Sequence, residues 1–332
     1  MKLFHCTGCE NPVFFDSFSC VNCARSLGYM PSRADMVAYQ EAPPLGFLVC
    51  ANAEQGGCNW LVNEKDGTPY CFACRLSSVV PDLTNDANLE RWRRLEAAKR
   101  YFLYGVFHLG LPVVSRMQDP EHGLTFELLA DWSDDPKDSI MTGHNDGLIT
   151  IDVAEADGSE REARRDAFDE PIRSLLGHYR HESGHYYWNQ LVEKKGMIDQ
   201  ARAMFGDERD DYQQALKTYY ANGPAPNWQE TFISAYASSH PHEDFAESWA
   251  HYLHISDSLE TAISHGLTGS VGSSSGSDTN LSFDEMIKMW IPLTVSVNAL
   301  NRAMGQPDLY PFVLTTPVID KLSFIHNLIR QP

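Results

Sequence analysis

Cysteine is missing from most of this chain: all eight cysteines lie at or before Cys74, and none follows in a sequence of 332 residues. A disulfide framework spanning the whole chain is therefore excluded. Long apolar runs are missing too, because no stretch of 18 apolar residues occurs. No apolar segment suited to secretion precedes the first cysteine at position 6. We therefore expect a cytoplasmic protein without a membrane partner.

Positive charge is also scarce, since 26 Lys and Arg residues stand against 45 Asp and Glu residues, a formal net charge of −19. Nucleic-acid binding requires a basic face that neutralises phosphates, so this balance argues against a nucleic-acid partner. Residues 1–80 contain 5 basic and 7 acidic side chains, a net charge of −2, so the remaining −17 lies in residues 81–332. Even the cysteine-rich part therefore lacks the charge of a DNA-binding finger.

The length of 332 residues suits about two domains. The segment 79–86, with the sequence VVPDLTND, reads as a linker between them. We therefore predict a cysteine-rich module over residues 1–80 and a second domain over residues 81–332.

The eight cysteines form two sets of four, which are Cys6, Cys9, Cys20 and Cys23, and then Cys50, Cys58, Cys71 and Cys74. Repeated C-x2-C pairs are typical of structural zinc sites, because each pair places two sulfurs on one side of a turn. A disulfide framework is the alternative, but no export signal supports it. We expect two structural zinc ions in a zinc-ribbon or rubredoxin-like module that serves as a lid or binds a protein partner. Its core would use the intervening aromatic residues Phe14, Phe15, Phe18, Phe47, Trp60, Tyr70 and Phe72.

The motif His181-Glu182-Ser183-Gly184-His185 has the H-E-x-x-H pattern, which carries a mechanism when it lies on a helix. Two His four residues apart share one helix face and can reach one metal ion. Glu182 lies beside them, where it can reach a metal-bound water. Asp169-Glu170-Pro171 predicts the start of this helix. Apolar residues recur around the motif with helical spacing at Ile172, Leu175, Leu176, Tyr179, Trp188, Leu191 and Val192.

A catalytic zinc needs three protein ligands and one open position, so the motif predicts a third ligand elsewhere. The best candidate is Glu243, because Pro241 suits a first helical turn and places Glu243 and Glu247 on one helix face. Glu247 would then accept a hydrogen bond from a ligand His. His240, His242 and Glu247 remain rival third ligands.

The remaining segments predict an α+β fold that is mainly helical. Helices are expected over 88–108, 198–205, 207–221, 281–304 and 317–329, and strands over 123–130 and 148–153. The strand over 148–153 is either a sheet edge that pairs with an extended substrate or an inner strand, and the sequence favours neither. His144 precedes it and could lie near the site. The helices between the two metal-binding segments offer no recognisable chemistry.

The motifs HESGH and Glu243-Asp-Phe-Ala-Glu247 together resemble the gluzincin pattern of anthrax lethal factor and the Pro-Pro endopeptidases. Over its full length the chain resembles bacterial zinc-binding metallopeptidases with an N-terminal zinc ribbon, through segments such as MTGHNDGLITIDVAEAD and LNRAMGQPDLYPFVL. The resemblance implies a zincin-like peptidase domain. It also implies that Tyr236, seven residues before Glu243, donates to the oxyanion of the reaction.

These observations predict a zinc metallopeptidase with one catalytic and two structural zinc ions. Zinc would be held by His181, His185 and Glu243, and Glu182 would be the general base. A peptide or protein would be the substrate. Two alternatives stay open: an adaptor that binds peptides without cleaving them, which would have no use for a base, and a hydrolase of a non-peptide amide.

Overall fold

The structure is a computed structural model that describes residues 1–131, 140, 142–159, 161, 174–268 and 281–330. It confirms an α+β fold in which helices dominate and the sheets are small. Residues 1–104 and 113–158 form one compact unit, and residues 105–112 and 159–332 form the other. The predicted boundary near residue 80 separates the cysteine-rich module from the second domain, and it stays a prediction. None of the helices within the described ranges is long and apolar enough to cross a membrane.

The cysteine-rich part of the first unit contains three antiparallel two-stranded ribbons. The strands are Phe4–His5 with Pro12–Val13, Ser26–Met30 with Asp35–Tyr39, and Phe47–Val49 with Leu61–Asn63. The first Cys-x2-Cys pair follows strand Phe4–His5, and the last precedes strand Ser77–Val79. An isolated two-stranded ribbon is only marginally stable in water, so this module needs further sources of stability.

An aromatic cluster supplies the core of this module, but it differs in part from the predicted set. Phe15 and Trp60 are buried as expected, whereas Phe14 is 74% exposed. Phe18 and Tyr70 are also exposed. Phe4, Tyr29, Tyr101 and Tyr104 complete the cluster instead, and their rings surround Phe15 at centroid distances of 6.0, 4.8, 5.1 and 5.3 Å. Two of these rings come from the long helix Asp86–His108, so sequence proximity to the cysteines did not predict them.

A four-stranded sheet completes the first unit, and it settles the open question about the strand Leu148–Asp152. This strand pairs in parallel with Thr125–Leu129 on one side and antiparallel with Gly143–Asn145 on the other. Of the two alternatives left open, the sheet edge is therefore wrong and the inner strand is correct. Its apolar residues Ile149 and Ile151 are fully buried, as expected for a strand with neighbours on both sides.

The second unit is helical in its described part. The predicted helices are present, most of them with small shifts at their ends, whereas the helix predicted over 207–221 begins only at Tyr212. Hydrophobic periodicity specifies an element better than its boundaries. Their observed bounds are Leu175–Tyr187, Ile198–Phe205, Tyr212–Asn222, Pro241–Ser264, Phe283–Ala303 and Thr316–Arg330. The predicted helix start at Asp169-Glu170-Pro171 lies outside the described residues.

Two of these helices carry the metal-binding motifs. We call Leu175–Tyr187 the histidine helix and Pro241–Ser264 the glutamate helix. The histidine helix is capped by Ser174, whose hydroxyl accepts from Gly177 N–H at 3.0 Å, and it continues into a π-helical segment, Trp188–Glu193. The glutamate helix begins with Pro241 in its first turn, as predicted.

The two helices approach each other closely at Gly184. A Cβ atom built on Gly184 would lie 2.7 Å from the Cα atom of Ala246. Trp249 of the glutamate helix also donates its indole N–H to the Ser183 hydroxyl at 3.1 Å and stacks on Tyr187. Small residues at the crossing therefore allow the two motifs to face each other across a short gap.

Candidate metal centres

The eight cysteines form two compact tetrads, each with its four sulfurs within 4.8 Å of one another. A tetrahedral zinc with Zn–S bonds of about 2.3 Å separates its sulfurs by roughly 3.8 Å, whereas a disulfide joins them at about 2.05 Å. The closest pairs lie at 3.6 Å for Cys6–Cys23, Cys9–Cys20 and Cys50–Cys74, and at 3.5 Å for Cys58–Cys71. Both tetrads therefore fit zinc and not disulfides.

Hydrogen bonds to the sulfurs also favour thiolates, which are the metal-binding form of cysteine. The Asn22 side chain lies 3.4 Å from Cys9 Sγ and donates to it. This bond is the main cause that lowers the pKa of Cys9 to about 6. In the second tetrad, the backbone N–H of Trp60 donates to Cys58 at 3.4 Å. These contacts would stabilise the negative charge of a zinc tetrathiolate.

The third cluster brings together His181, His185 and Glu243, whose ligand atoms lie within 4.8 Å of one another. His181 Nε2 is 3.0 Å from Glu243 Oε2, and His185 Nε2 is 3.6 Å from Glu243 Oε1. Zinc bonds of about 2.0–2.1 Å in a tetrahedral site place ligand atoms roughly 3.3 Å apart, so the observed spacing suits a zinc ion. The two imidazoles share one helix face, as the i, i+4 spacing predicts.

The chemistry of Glu243 also fits a metal ligand. Its side chain is 1% exposed, and Oε2 accepts no hydrogen bond from the described part of the chain. Burying a carboxylate is costly unless it is paired, so a metal cation between this oxygen and the two histidines would stabilise it. Burial opposes the ionisation of Glu243, but the charge of His185 and the close contact with His181 lower its pKa to about 2. The carboxylate is therefore in the metal-binding form at neutral pH.

Glu247 lies one turn after Glu243, and it contacts the other ring nitrogen of His181. Its Oε1 atom is 2.7 Å from His181 Nδ1, and its Oε2 atom accepts from the Ser234 hydroxyl at 2.6 Å. Burial lowers the pKa of His181, but its contacts with the carboxylates of Glu243 and Glu247 raise it well above 6.5. A carboxylate on Nδ1 fixes the ring with Nε2 directed at the metal position. The geometry supports the expectation that Glu247 orients a ligand.

The two rival histidine ligands, and His144, which the sequence suggested could lie near the site, lie in different environments. Both nitrogens of His240 are engaged, since Nε2 lies 3.0 Å from the Asp210 carbonyl and Nδ1 accepts from the His242 backbone N–H at 3.1 Å. His242 packs its ring on Trp188 at a centroid distance of 4.9 Å. His144, in the first unit, accepts from Gly147 N–H at 2.9 Å. None of these three histidines belongs to a metal-ligand cluster of the described residues.

The two predicted catalytic residues both lie in the second unit. Glu182 is 8% exposed, on the histidine helix between the two ligand histidines. Tyr236 lies in a short 3-10 turn before the glutamate helix, with its ring 5.9 Å from the His181 ring. Burial raises the pKa of Tyr236 well above 10, which keeps its hydroxyl protonated. It can therefore donate a hydrogen bond, as the predicted role requires.

The sequence did not indicate two further polar side chains at this cluster. Ser234 donates to Glu247, and Tyr212 donates its hydroxyl to Glu243 Oε1 at 2.6 Å. Tyr212 belongs to the insertion between the two metal-binding helices, a segment for which the sequence predicted no chemistry. A lone Tyr at the start of an amphipathic helix carries no motif, so no local signal would have identified it.

Comparisons with known proteins agree with this description. A family model described as "Putative zinc-binding metallo-peptidase" matches residues 88–328, and one described as "zinc-ribbon domain" matches residues 3–85. The first match covers most of the chain. The chain belongs to this zinc-binding metallopeptidase family. Its zinc-ribbon segment contains both cysteine tetrads, and the family supports zinc as the metal.

Relatives of this family member match it over its full length. "Uncharacterized protein Mb2598c" of Mycobacterium bovis and "Uncharacterized protein Rv2568c" of Mycobacterium tuberculosis are each 40% identical to it over 333 residues. Each alignment covers 100% of this chain and 96% of the relative. No solved structure matches the chain. The whole architecture, ribbon and metallopeptidase segment together, is therefore shared with these relatives.

Proposed function

We propose that this protein hydrolyses peptide bonds with a gluzincin-type zinc site. The observation that carries this proposal is the meeting of His181, His185 and Glu243 from two helices, with Glu182 buried beside the two histidines. A site that only bound zinc for stability would commonly have four protein ligands. Three protein ligands beside a carboxylate general base are typical of hydrolysis.

Each side chain of the site has its own role in the proposed hydrolysis. When zinc is bound, it supplies Lewis-acid polarisation of the scissile carbonyl and lowers the pKa of a water ligand. Glu182 takes the proton of the attacking water and passes it to the leaving amine. Tyr236 donates a hydrogen bond to the oxygen of the carbonyl as negative charge develops there. Glu247 holds the His181 ring in place through Nδ1.

Two structural zinc ions complete the proposed metal content. They would occupy the two cysteine tetrads in the zinc-ribbon segment, apart from the peptidase chemistry. A peptide or protein is the proposed substrate, because the family description names a metallopeptidase. A protein partner is proposed for the ribbon module, where large apolar side chains such as Phe14 are exposed.

The substitution Glu182→Gln tests the proposal, because it keeps the size of the side chain and removes the general base. We expect turnover of a peptide library, followed by mass spectrometry of the fragments, to fall by about 10²–10⁴-fold. Zinc content should stay at the wild-type value, since Glu182 is not a ligand.

The matched control is Glu193→Gln, the same chemical change at an exposed position of the π-helical segment. It should leave both turnover and zinc content unchanged. Cleavage that survives Glu182→Gln would rule out this mechanism. A wild-type protein that binds library peptides without producing fragments would favour the adaptor alternative.

A further inference from the structure

The insertion between the two metal-binding helices contacts the zinc cluster through one side chain. We call the helix Tyr212–Asn222 the insertion helix. None of its 11 residues, all of them described, is fully buried, so few side chains attach it to the rest of the unit. Two of these attachments reach the predicted site. Tyr212 donates to Glu243 Oε1 at 2.6 Å, and the Tyr219 ring packs on Tyr236 at 5.7 Å.

The hydrogen bond from Tyr212 makes the two oxygens of the Glu243 carboxylate different from each other. A hydroxyl-to-carboxylate distance of 2.6 Å is typical of a strong, charge-assisted hydrogen bond. It engages Oε1, whereas Oε2 accepts no hydrogen bond from the described residues. Oε2 is also the oxygen nearer to a ligand histidine, at 3.0 Å from His181 Nε2 against 3.6 Å between Oε1 and His185 Nε2. The carboxylate therefore has one oxygen held by the protein and one available to a metal.

The surrounding contacts hold Tyr212 in this position. The Asp211 side chain caps the insertion helix by accepting from Gln214 N–H at 3.0 Å. The carbonyl of Asp210 lies 3.0 Å from His240 Nε2, which fixes the chain just before the helix. The Tyr212 ring also packs against the His240 ring at 5.1 Å. His240 also caps the glutamate helix. The residue that packs on Tyr212 therefore also fixes the start of the helix that carries Glu243.

We infer that Tyr212 is a positioning residue that makes Glu243 bind zinc through one oxygen only. This inference rests on the proposed function. A carboxylate that binds through both oxygens would add a fifth ligand atom, which competes with the water and the substrate carbonyl for the open position. By occupying Oε1, the Tyr212 hydroxyl keeps that position open. The insertion therefore contributes a side chain, Tyr212, to the site.

The test uses Tyr212→Phe, which removes only the hydroxyl, with Tyr220→Phe, at an exposed position of the same helix, as the matched control. The full-length protein is treated with a mild chelator and reloaded at the His/Glu site with Co²⁺, whose visible absorption reports coordination number. Zinc affinity is measured in parallel by competition with a chromophoric chelator. For Tyr212→Phe we expect a weaker cobalt absorption, as a four-coordinate site gains a ligand oxygen. We also expect zinc affinity to fall about 10–100-fold.

The cobalt spectrum decides the outcome. A wild-type spectrum in Tyr212→Phe overturns the inference even if zinc affinity falls, because a purely structural role would also weaken binding. Tyr220→Phe should keep the wild-type spectrum. An equal change in Tyr220→Phe would show that loss of any tyrosine hydroxyl on the insertion helix alters the site, which also overturns the inference. The double variant His181→Ala/His185→Ala separates this failure from that of the proposed function. If the double variant still binds cobalt with the wild-type spectrum, the His/Glu site itself is wrong.

Discussion

At the scale of single residues, the site separates direct ligands from the groups that orient them. Glu243 and Glu247 lie one turn apart on the same helix, but they contact different parts of the cluster. Glu243 lies close to the Nε2 atoms of both histidines, whereas Glu247 contacts only the Nδ1 atom of His181 among the metal-ligand candidates. Both oxygens of Glu247 are already engaged by His181 and Ser234. The two carboxylates should therefore respond differently to removal.

We expect Glu243→Ala to lose most of the zinc at this site, because one of three ligands disappears. Glu247→Ala should weaken zinc binding only by about 10–100-fold, as is usual when a group that orients a ligand is removed. Competition titration with a chelator measures both affinities. If Glu247→Ala empties the site and Glu243→Ala does not, the two roles are reversed.

Tyr236 is expected to act on the reaction and not on the metal. Tyr236→Phe should lower kcat by about 10²–10³-fold, the usual cost of losing one oxyanion donor, and leave zinc content unchanged. Steady-state kinetics on a cleaved library peptide tests this. The control is Tyr220→Phe, an exposed tyrosine of the insertion helix, which should keep the wild-type kcat. A wild-type kcat in Tyr236→Phe would remove Tyr236 from the mechanism.

At the scale of elements, the crossing of the histidine and glutamate helices determines the distance between the ligands. The crossing is close because Gly184 has no side chain facing Ala246. Another buried contact holds the other side of the glutamate helix, where Lys321 of the C-terminal helix pairs with Asp244 at 2.6 Å. Burial raises the pKa of Asp244 to about 7, although the charge of Lys321 opposes that rise. The glutamate helix is thus fixed on two sides.

Gly184→Ala should separate the two helices. The new Cβ would lie 2.7 Å from the Cα atom of Ala246, which is backbone and cannot rotate away. Overpacking of this kind costs about 1–3 kcal/mol, and this exceeds the gain of about 1 kcal/mol in helix propensity. We expect both weaker zinc binding and a lower free energy of unfolding in urea.

The control for this change is Gly177→Ala on the same helix. Its Cβ would meet only side-chain atoms, Ser174 Oγ at 3.1 Å and His254 Nε2 at 3.8 Å. The site geometry should therefore be preserved. Equal zinc affinity in both alanine variants and the wild type would show that the helix crossing does not determine ligand spacing.

At the scale of the whole molecule, the chain combines two kinds of metal site with different access. The four cysteines of the second tetrad are all buried. The side chains of His181 and His185 are 14% and 16% exposed, which is consistent with a site open to substrate. Thiolate tetrads also leave no coordination position for an incoming chelator. The three proposed zinc ions should therefore differ in lability.

We expect native protein to contain three zinc ions per chain and His181→Ala/His185→Ala to contain two. Elemental analysis of the metal-to-protein ratio tests this count. With increasing chelator, the first zinc released should come from the His/Glu site without a change in far-ultraviolet circular dichroism. Release of the remaining two should unfold the zinc-ribbon segment, because its two-stranded ribbons are only marginally stable without the metal. No loss of zinc in the double variant would contradict the proposed catalytic site.

Local patterns in the sequence determined much of this protein. The spacing of cysteines in C-x2-C pairs depends only on the geometry of a turn, and both predicted tetrads assemble. The i, i+4 spacing of His181 and His185 depends only on helical periodicity, and their rings lie 5.3 Å apart. The helices of the second unit and the strand Thr125–Leu129 followed from hydrophobic periodicity for the same reason.

The contacts between segments that are far apart in the sequence depended on the tertiary structure. The sequence offered several third ligands, and the packing of Gly184 against Ala246 brings Glu243, and not His240 or His242, to the histidines. It also placed strand Leu148–Asp152 inside a sheet, because its second neighbour is a short strand with little sequence signal. The Tyr212 bond to Glu243 joins residues 31 positions apart. Such contacts depend on how helices pack, and no periodicity within one segment encodes them.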